Sequence, residues 1–240
     1  KKFLDSELLK NLITVDIVCK GVASPGYWKR YLEYHTQEQK SGIESINFRK
    51  KVRGYHSSDM AIDFLNGYHY RRSKTDIFMK SYISEICSRP SCYQCRFKDI
   101  DRCSDFTIFD AWSAGLLVEG LEDDDKGYTT VIAHNDRAVQ LLNSLKDKYM
   151  IYPIDINQAV DLDGIMMKEQ AIPNDHRKKF LEKAVNGDIA EAVKHYMPIT
   201  ITDRAAEKIK DVLYLAGLLD ITKRYIKNFK NMIRRRQWQD

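Results

Sequence analysis

The chain of 240 residues contains no apolar run that approaches the roughly 20 residues needed to cross a bilayer, which excludes a membrane-spanning helix. No secretory signal is visible. There is no internal repeat and no low-complexity segment. No glycine fingerprint of a dinucleotide-binding fold appears, and no Walker sequence, so neither of those phosphate cradles is available. The six histidines show no metal spacing, with no H-E-x-x-H and no His pair beside a thiol. No serine or cysteine sits in a recognisable nucleophile context. An excess of positive charge is also missing from the body. The net charge is +5, but residues 221–240 hold seven basic residues against one acidic one. The first 220 residues therefore carry 32 basic and 33 acidic side chains, counts that do not suggest a basic nucleic-acid-binding face.

What is present is an ordinary globular composition, 43% hydrophobic and 30% charged, long enough to bury a core without staples. The chain opens without a methionine on the helix-like KKFLDSELLKNL, so an upstream part is expected. ITVDIVC (13–19) reads as a buried, parallel strand. Ser24-Pro25 then start a helix on which Trp28, Tyr31, Leu32 and His35 share a face. IESINFR (43–49) and SDMAIDF (58–64) alternate and form a hairpin around the basic loop RKKVRGYHS. TDIFMKSYISEI (75–86) is a helix. FTIF (106–109), YTTVIAH (128–134) and IYPIDI (151–156) read as strands, and NDRAVQLLNSLKDKY (135–149) as a helix capped by Asn135. Beyond residue 158 only helical stretches follow, with Asn174, Asp188 and Asp203 as caps. The expected fold is α/β, a mixed sheet with flanking helices. An α/β domain spans 1–157 and a helical C-terminal extension spans 158–240.

Five cysteines are present, and four fall within seventeen residues. Cys92, Cys95 and Cys103 form C-x2-C-x7-C in RPSCYQCRFKDIDRC. An odd, clustered set does not suit a secreted disulfide framework. It suits metal ligation in a reducing compartment, and a cytoplasmic location is expected. C-x2-C grips one site from a single turn. Cys19, at the end of a strand and followed by Gly21, is a natural remote fourth ligand. Four thiolates serve a structural zinc or an iron–sulfur cluster, and spacing alone does not separate the two. Cys87-x4-Cys92-x2-Cys95 repeats the spacing of plant-type 2Fe–2S ferredoxins. Cys87 follows a helix, however, and reads as a spare, buried thiol.

Five stretches together resemble the C-terminal domain of the coenzyme F-420 hydrogenase/dehydrogenase beta-subunit family. They are TVDIVCKGVASPGYWKRYLE (14–33), INFRKKVRGY (46–55), RPSCYQCRFK (89–98), DRCSDFTIFDAW (101–112) and DDDKGYTTVI (123–132). They keep the family order and spacing over about residues 8–135. The resemblance implies an iron–sulfur flavoprotein oxidoreductase, with Cys19, Cys92, Cys95 and Cys103 at a 4Fe–4S cluster beside FAD. It implies electron exchange with a ferredoxin-like domain or protein and an unknown small-molecule substrate. Many bacterial members belong to surface-polysaccharide pathways. The family's ferredoxin-like stretch and its G-T-P-C-Q loop precede the part matched here. Its G-D-x-W-G reads FDAWS, with Phe109 and Ser113 replacing glycines. A zinc-stabilised interaction module without enzymatic activity is the alternative.

Other residues carry two readings each. Arg49 and Lys51, in the run that also holds Lys50 and Arg53, either meet cofactor phosphates or belong to a solvated turn. Asp105 and Asp110 either orient a flavin or cap backbone amides, and Trp112 either stacks on a flavin or packs in the core. In the tail, Ile221, Tyr225, Phe229, Met232 and Ile233 share a helical face ringed by basic residues. Such a helix lies on an anionic membrane or packs on the protein, and packing is the reading expected.

Overall fold

The computed structural model describes residues 4–57, 59–122 and 124–239, without the side chains of 232 and 234–239. In chain order the elements are α1 (Ser6–Asn11), β1 (Val15–Ile17), α2 (Pro25–Gln39), β2 (Ile43–Asn47), β3 (Met60–Phe64), β4 (His69–Arg72) and α3 (Ile77–Ile83). Then follow β5 (Phe106–Asp110), α4 (Ala114–Leu117), β6 (Thr129–Ala133), α5 (Asp136–Ser144) and α6 (Ile156–Asp163). Four helices close the chain: α7 (Arg177–Asn186), α8 (Ile189–Tyr196), α9 (Ile201–Leu215) and α10 (Leu219–Gln239). The α/β class, with flanking helices and a helical C-terminal group, is the one expected, and its strands are divided between two sheets.

The chain divides into two compact units, each drawn from separate segments. The first comprises 1–20, 96–122 and 127–169. Its sheet has the order β1-β5-β6, with β1 parallel to β5 and β6 antiparallel to it. ITVDIVC is thus a parallel strand, but not a buried one. β1 is an edge strand that exposes Val15 and Ile17 and turns Asp16 inward. The core gathers Phe109, Ile132, Ala159, Val160 and Met167. IYPIDI does not form a strand. Pro153 removes a ladder donor, and Asp155 accepts from the Gln158 N–H to cap α6, which begins at Ile156. The boundary expected after residue 157 falls inside this helix.

The second unit comprises 21–95, 123–126 and 170–240. β2 and β3 pair as the expected antiparallel hairpin. β4 extends it beyond the turn at Asn66-Gly67, where Gly67 takes φ +82°. Its core is aromatic: Tyr27, Tyr31, Phe64, Phe78 and Phe180 are buried with Met60, Ile62 and Val193. Asn135 and Asp188 cap α5 and α8 as expected. α9 differs by three residues. Thr200 is its N-cap, and Asp203 reaches back to the Thr200 N–H, completing a capping box. At α7, His176 is the cap residue, and Asn174 instead accepts the His176 N–H in the preceding turn.

Candidate functional site

Cys92 and Cys95 lie in the second unit, on and just after a 3-10 turn over Pro90–Gln94. Pro90 presets the first turn, and the Cys92 N–H closes it on the Arg89 carbonyl. Both thiols are half-buried. The turn is braced at each end. The Val22 N–H donates to Cys92 Sγ at 3.3 Å, bringing a backbone dipole to the sulfur. The Gln170 side chain accepts from the Cys95 N–H and donates to its carbonyl, both at 3.0 Å. Tyr82 Oη holds the Gly21 carbonyl, fixing the strand-like run that carries Val22.

Cys87 differs from its neighbours. It is fully buried in the aromatic core, and burial pushes its thiol up to about 12. It stays a protonated, structural cysteine at neutral pH.

Cys19 and Cys103 lie in the first unit, and both are exposed. Cys19 follows β1, and Lys98 Nζ donates to its carbonyl at 3.0 Å. Cys103 stands between two residues that bind one carboxylate. Arg102 donates to Asp16 Oδ1 at 2.6 Å and Ser104 to Asp16 Oδ2 at 2.5 Å. Thr107 adds a third hydrogen bond to Asp16 Oδ1 at 2.8 Å. Burial alone would raise this carboxyl. The hydrogen bonds from Ser104, Thr107 and Arg102 outweigh burial and hold it below the usual carboxylate range. Asp16 is therefore ionised and cannot donate, so the Thr107 hydroxyl proton goes to it. His134 Nε2, 2.8 Å from Thr107 Oγ1, then carries the proton of that contact. An acidic residue inside the apolar run ITVDIVC was the signal for this anchor.

Among the described residues, no three His, Cys, Asp or Glu side chains are grouped as metal ligands. The four thiols expected as ligands divide two and two between the units.

The residues expected at the flavin are distributed as follows. Asp105 precedes β5. Its Oδ2 accepts from the Thr14 N–H and hydroxyl at 2.8 and 2.7 Å, and its Oδ1 from Asn135. Asp110 closes the same strand. Five residues of extended chain put it about 17 Å from Asp105, so the structure does not bring these two carboxylates together. Trp112 follows in the turn before α4 and is half-buried. The two departures from the family pattern are absorbed by the fold. Phe109 is a core side chain packed on Gly164, where a Cβ would come within 3.1 Å of its ring. Ser113 has φ −104°, which needs no glycine, and binds the Asp163 carboxylate through its N–H and hydroxyl.

Arg49 and Lys51 both stand over the Tyr55 ring, at 5.2 and 5.0 Å. Arg53, from the same basic run, is not a solvated loop residue. It is 4% exposed and forks onto Asp59 at 2.9 and 2.7 Å, with Asp211 at 2.7 Å and Glu207 at 3.5 Å. Gly54 next to it passes so close to Asp125 that a Cβ would lie 1.7 Å from the carboxylate, at a φ of +86°. Sequence reasoning missed this ion cluster because two of its three acids, Glu207 and Asp211, lie on α9. A hollow of about 470 Å³ lies elsewhere, lined by Lys146–Tyr152 alone, and none of the expected cofactor residues borders it.

No curated protein and no solved structure matches the chain. Residues 2–158, about two thirds of its length, match the family described as the C terminus of the beta subunit of coenzyme F420 hydrogenase/dehydrogenase. The chain therefore belongs to that family, an oxidoreductase-associated one, through its C-terminal domain.

Proposed function

We propose that this chain is the C-terminal part of an iron–sulfur flavoprotein oxidoreductase. In this reading Cys19, Cys92, Cys95 and Cys103 hold a 4Fe–4S cluster, FAD binds beside it, and a ferredoxin-like domain or protein donates electrons. The braced Cys92–Cys95 turn carries the reading. An amide aimed at Cys92 Sγ would raise the potential of a cluster bound there. The residues around the thiols suit ligation, with backbone and side-chain hydrogen bonds fixing the segments while the sulfurs stay accessible. Cys87, protonated and buried, is left out.

The cluster, when bound, supplies one-electron transfer to the flavin. The protein's own residues have other tasks. Asp16 fixes the segment carrying Cys103, and Gln170 fixes Cys95. Arg49 and Lys51 contact the FAD phosphates. Asp110, at the end of β5, and Trp112, just past it, contact the flavin ring. Asp105 acts by holding the start of β5 against Thr14 and Asn135.

The absorption spectrum of anaerobically purified protein tests this. A band near about 400 nm that dithionite bleaches is expected, with flavin bands beside it. A colourless protein that holds zinc would instead mark a non-enzymatic structural module and overturn the proposal.

A further inference from the structure

A surface helix ordinarily turns its apolar stripe toward the core. α10 does the reverse. Its inward contacts are made by lysines. Lys223 Nζ binds Asp125 Oδ2 at 2.7 Å and also the Arg53 carbonyl, and Lys227 Nζ lies 2.8 Å from His56 Nε2. Of its apolar side chains, Leu219 is the one described as buried. On the far side, Ile221, Tyr225, Phe229 and Ile233 follow one another at intervals of four and stay within a third of a turn. They are 66%, 79%, 55% and 42% exposed. Met232, expected on this face, has its side chain outside the described residues. α9 repeats the inversion. Glu207 and Asp211 face Arg53, while Ile201, Val212 and Leu215 are exposed.

Single exposed apolar residues need no explanation, but a continuous stripe does. Its occupant is set by charge. The last twenty residues carry a net +6, so a second copy of the helix would bring like charges together. Exposed Arg224 and Lys230 belong to the same helix, and their long stems can lie along apolar surface while the charged ends reach anions. An anionic lipid surface answers both features, the apolar stripe and the excess charge. None of the described helices is long and apolar enough to cross a membrane, and lying in the interface requires no such length.

We propose that α10 is a membrane-surface element that lays Ile221, Tyr225, Phe229 and Ile233 into an anionic bilayer, with its lysine face clamped to the protein. The docked lysines hold the helix so that the stripe points away from the unit it belongs to. Binding needs no conformational change within this unit.

The test is co-sedimentation of the full chain with phosphatidylcholine vesicles containing about 30% phosphatidylserine, against vesicles of phosphatidylcholine alone. Binding to the anionic vesicles only, weakened by salt, is expected. Tyr225→Asp/Phe229→Asp should weaken it about a hundredfold, and Lys230→Glu at least about fivefold. These side chains are exposed, so an unchanged thermal melt checks that the variants fold. Absence of binding to anionic vesicles at low salt would overturn the proposal. So would equal binding by the Tyr225→Asp/Phe229→Asp variant. A dimer seen by sedimentation velocity, lost in that variant, without vesicle binding, would assign the stripe to a second copy instead.

Discussion

Lys227 Nζ stands 2.8 Å from His56 Nε2, a contact between two bases. It requires a lone pair on one of them, so the imidazole is neutral and accepts at Nε2 while Nδ1 keeps the proton. Burial, together with Lys227, Lys223 and Arg49, holds His56 below the usual histidine range, against an opposing pull from Asp125. Burial brings Lys227 down to about 8. Asp124, Asp220 and Arg224 border the same small hollow.

This contact makes the docking of α10 pH-dependent. A base whose pKa is lowered by docking binds more protons when undocked, so docking strengthens as pH rises. The His56 contribution is intact above 6.5 and is lost as the pH falls below it. After correction for the intrinsic pH dependence of exchange, lower protection factors along α10 at pH 5 than at pH 7.5 are expected. His56→Gln keeps a neutral acceptor and should remove most of the difference. Equal protection factors at both pH values in the wild type would contradict this account of the contact.

His35 gives a second pH effect, within the core. Its ring is packed against Tyr31, Tyr34 and Tyr70, and its buried Nε2 has no hydrogen-bond partner. Burial lowers it to about 4. Its stabilising contribution is full above 6.5 and is lost as the pH falls toward 4, by on the order of 3 kcal/mol. Asp76, raised by burial to about 6, acts in the opposite direction, so the wild-type curve alone would mask the effect. The difference between His35→Phe and wild type isolates it. Urea unfolding should show the variant gaining stability relative to wild type between pH 6.5 and 4. A difference that does not change with pH would contradict the prediction.

Removing Arg53 strands Asp59 and Glu207, each no more than 4% exposed. Arg53→Ala should cost about 3–5 kcal/mol in denaturant unfolding. Lys51→Ala, at an exposed position of the same run, should change stability by less than about 0.5 kcal/mol. Similar losses from both would mean that the buried ion cluster is not what holds the hairpin loop to α9.

Much of the fold was legible where local chemistry decides. The hairpin of β2 and β3 announced itself by alternation, and α5 and α8 by Asn135 and Asp188 as caps. β4 was missed because three of the four residues of His69–Arg72 are charged or polar and Tyr70 alone shows no alternation, although Asn66-Gly67 marked the turn before it. IYPIDI failed as a strand because the capping strength of Asp155 outweighed the apolar run. The role of Arg53 could not be read from RKKVR, since beside Asp59 its acidic partners lie on α9, with Asp211 158 residues downstream. The same limit applies to Asp16. Its position inside an apolar strand was visible, but not the return of Arg102 and Ser104 onto it. The spacing of the thiols was plain, while their unequal burial depended on tertiary packing.

That inequality predicts how the thiols react. In metal-free protein at pH 7.5, iodoacetamide should label Cys19 and Cys103 first, since both are exposed. Cys92 and Cys95 should follow, and Cys87 should react only after unfolding, being buried and pushed up to about 12. Cys87→Ser should leave iron content unchanged, whereas Cys92→Ser should abolish most of it. Early labelling of Cys87, mapped by peptide mass, would refute this order.

The central claim is that these thiols hold an iron–sulfur cluster. Iron, acid-labile sulfide and zinc, measured on one anaerobic sample of wild-type protein, test it most directly. About four irons and four sulfides per chain, without zinc, are predicted. About one zinc per chain with no sulfide would contradict it.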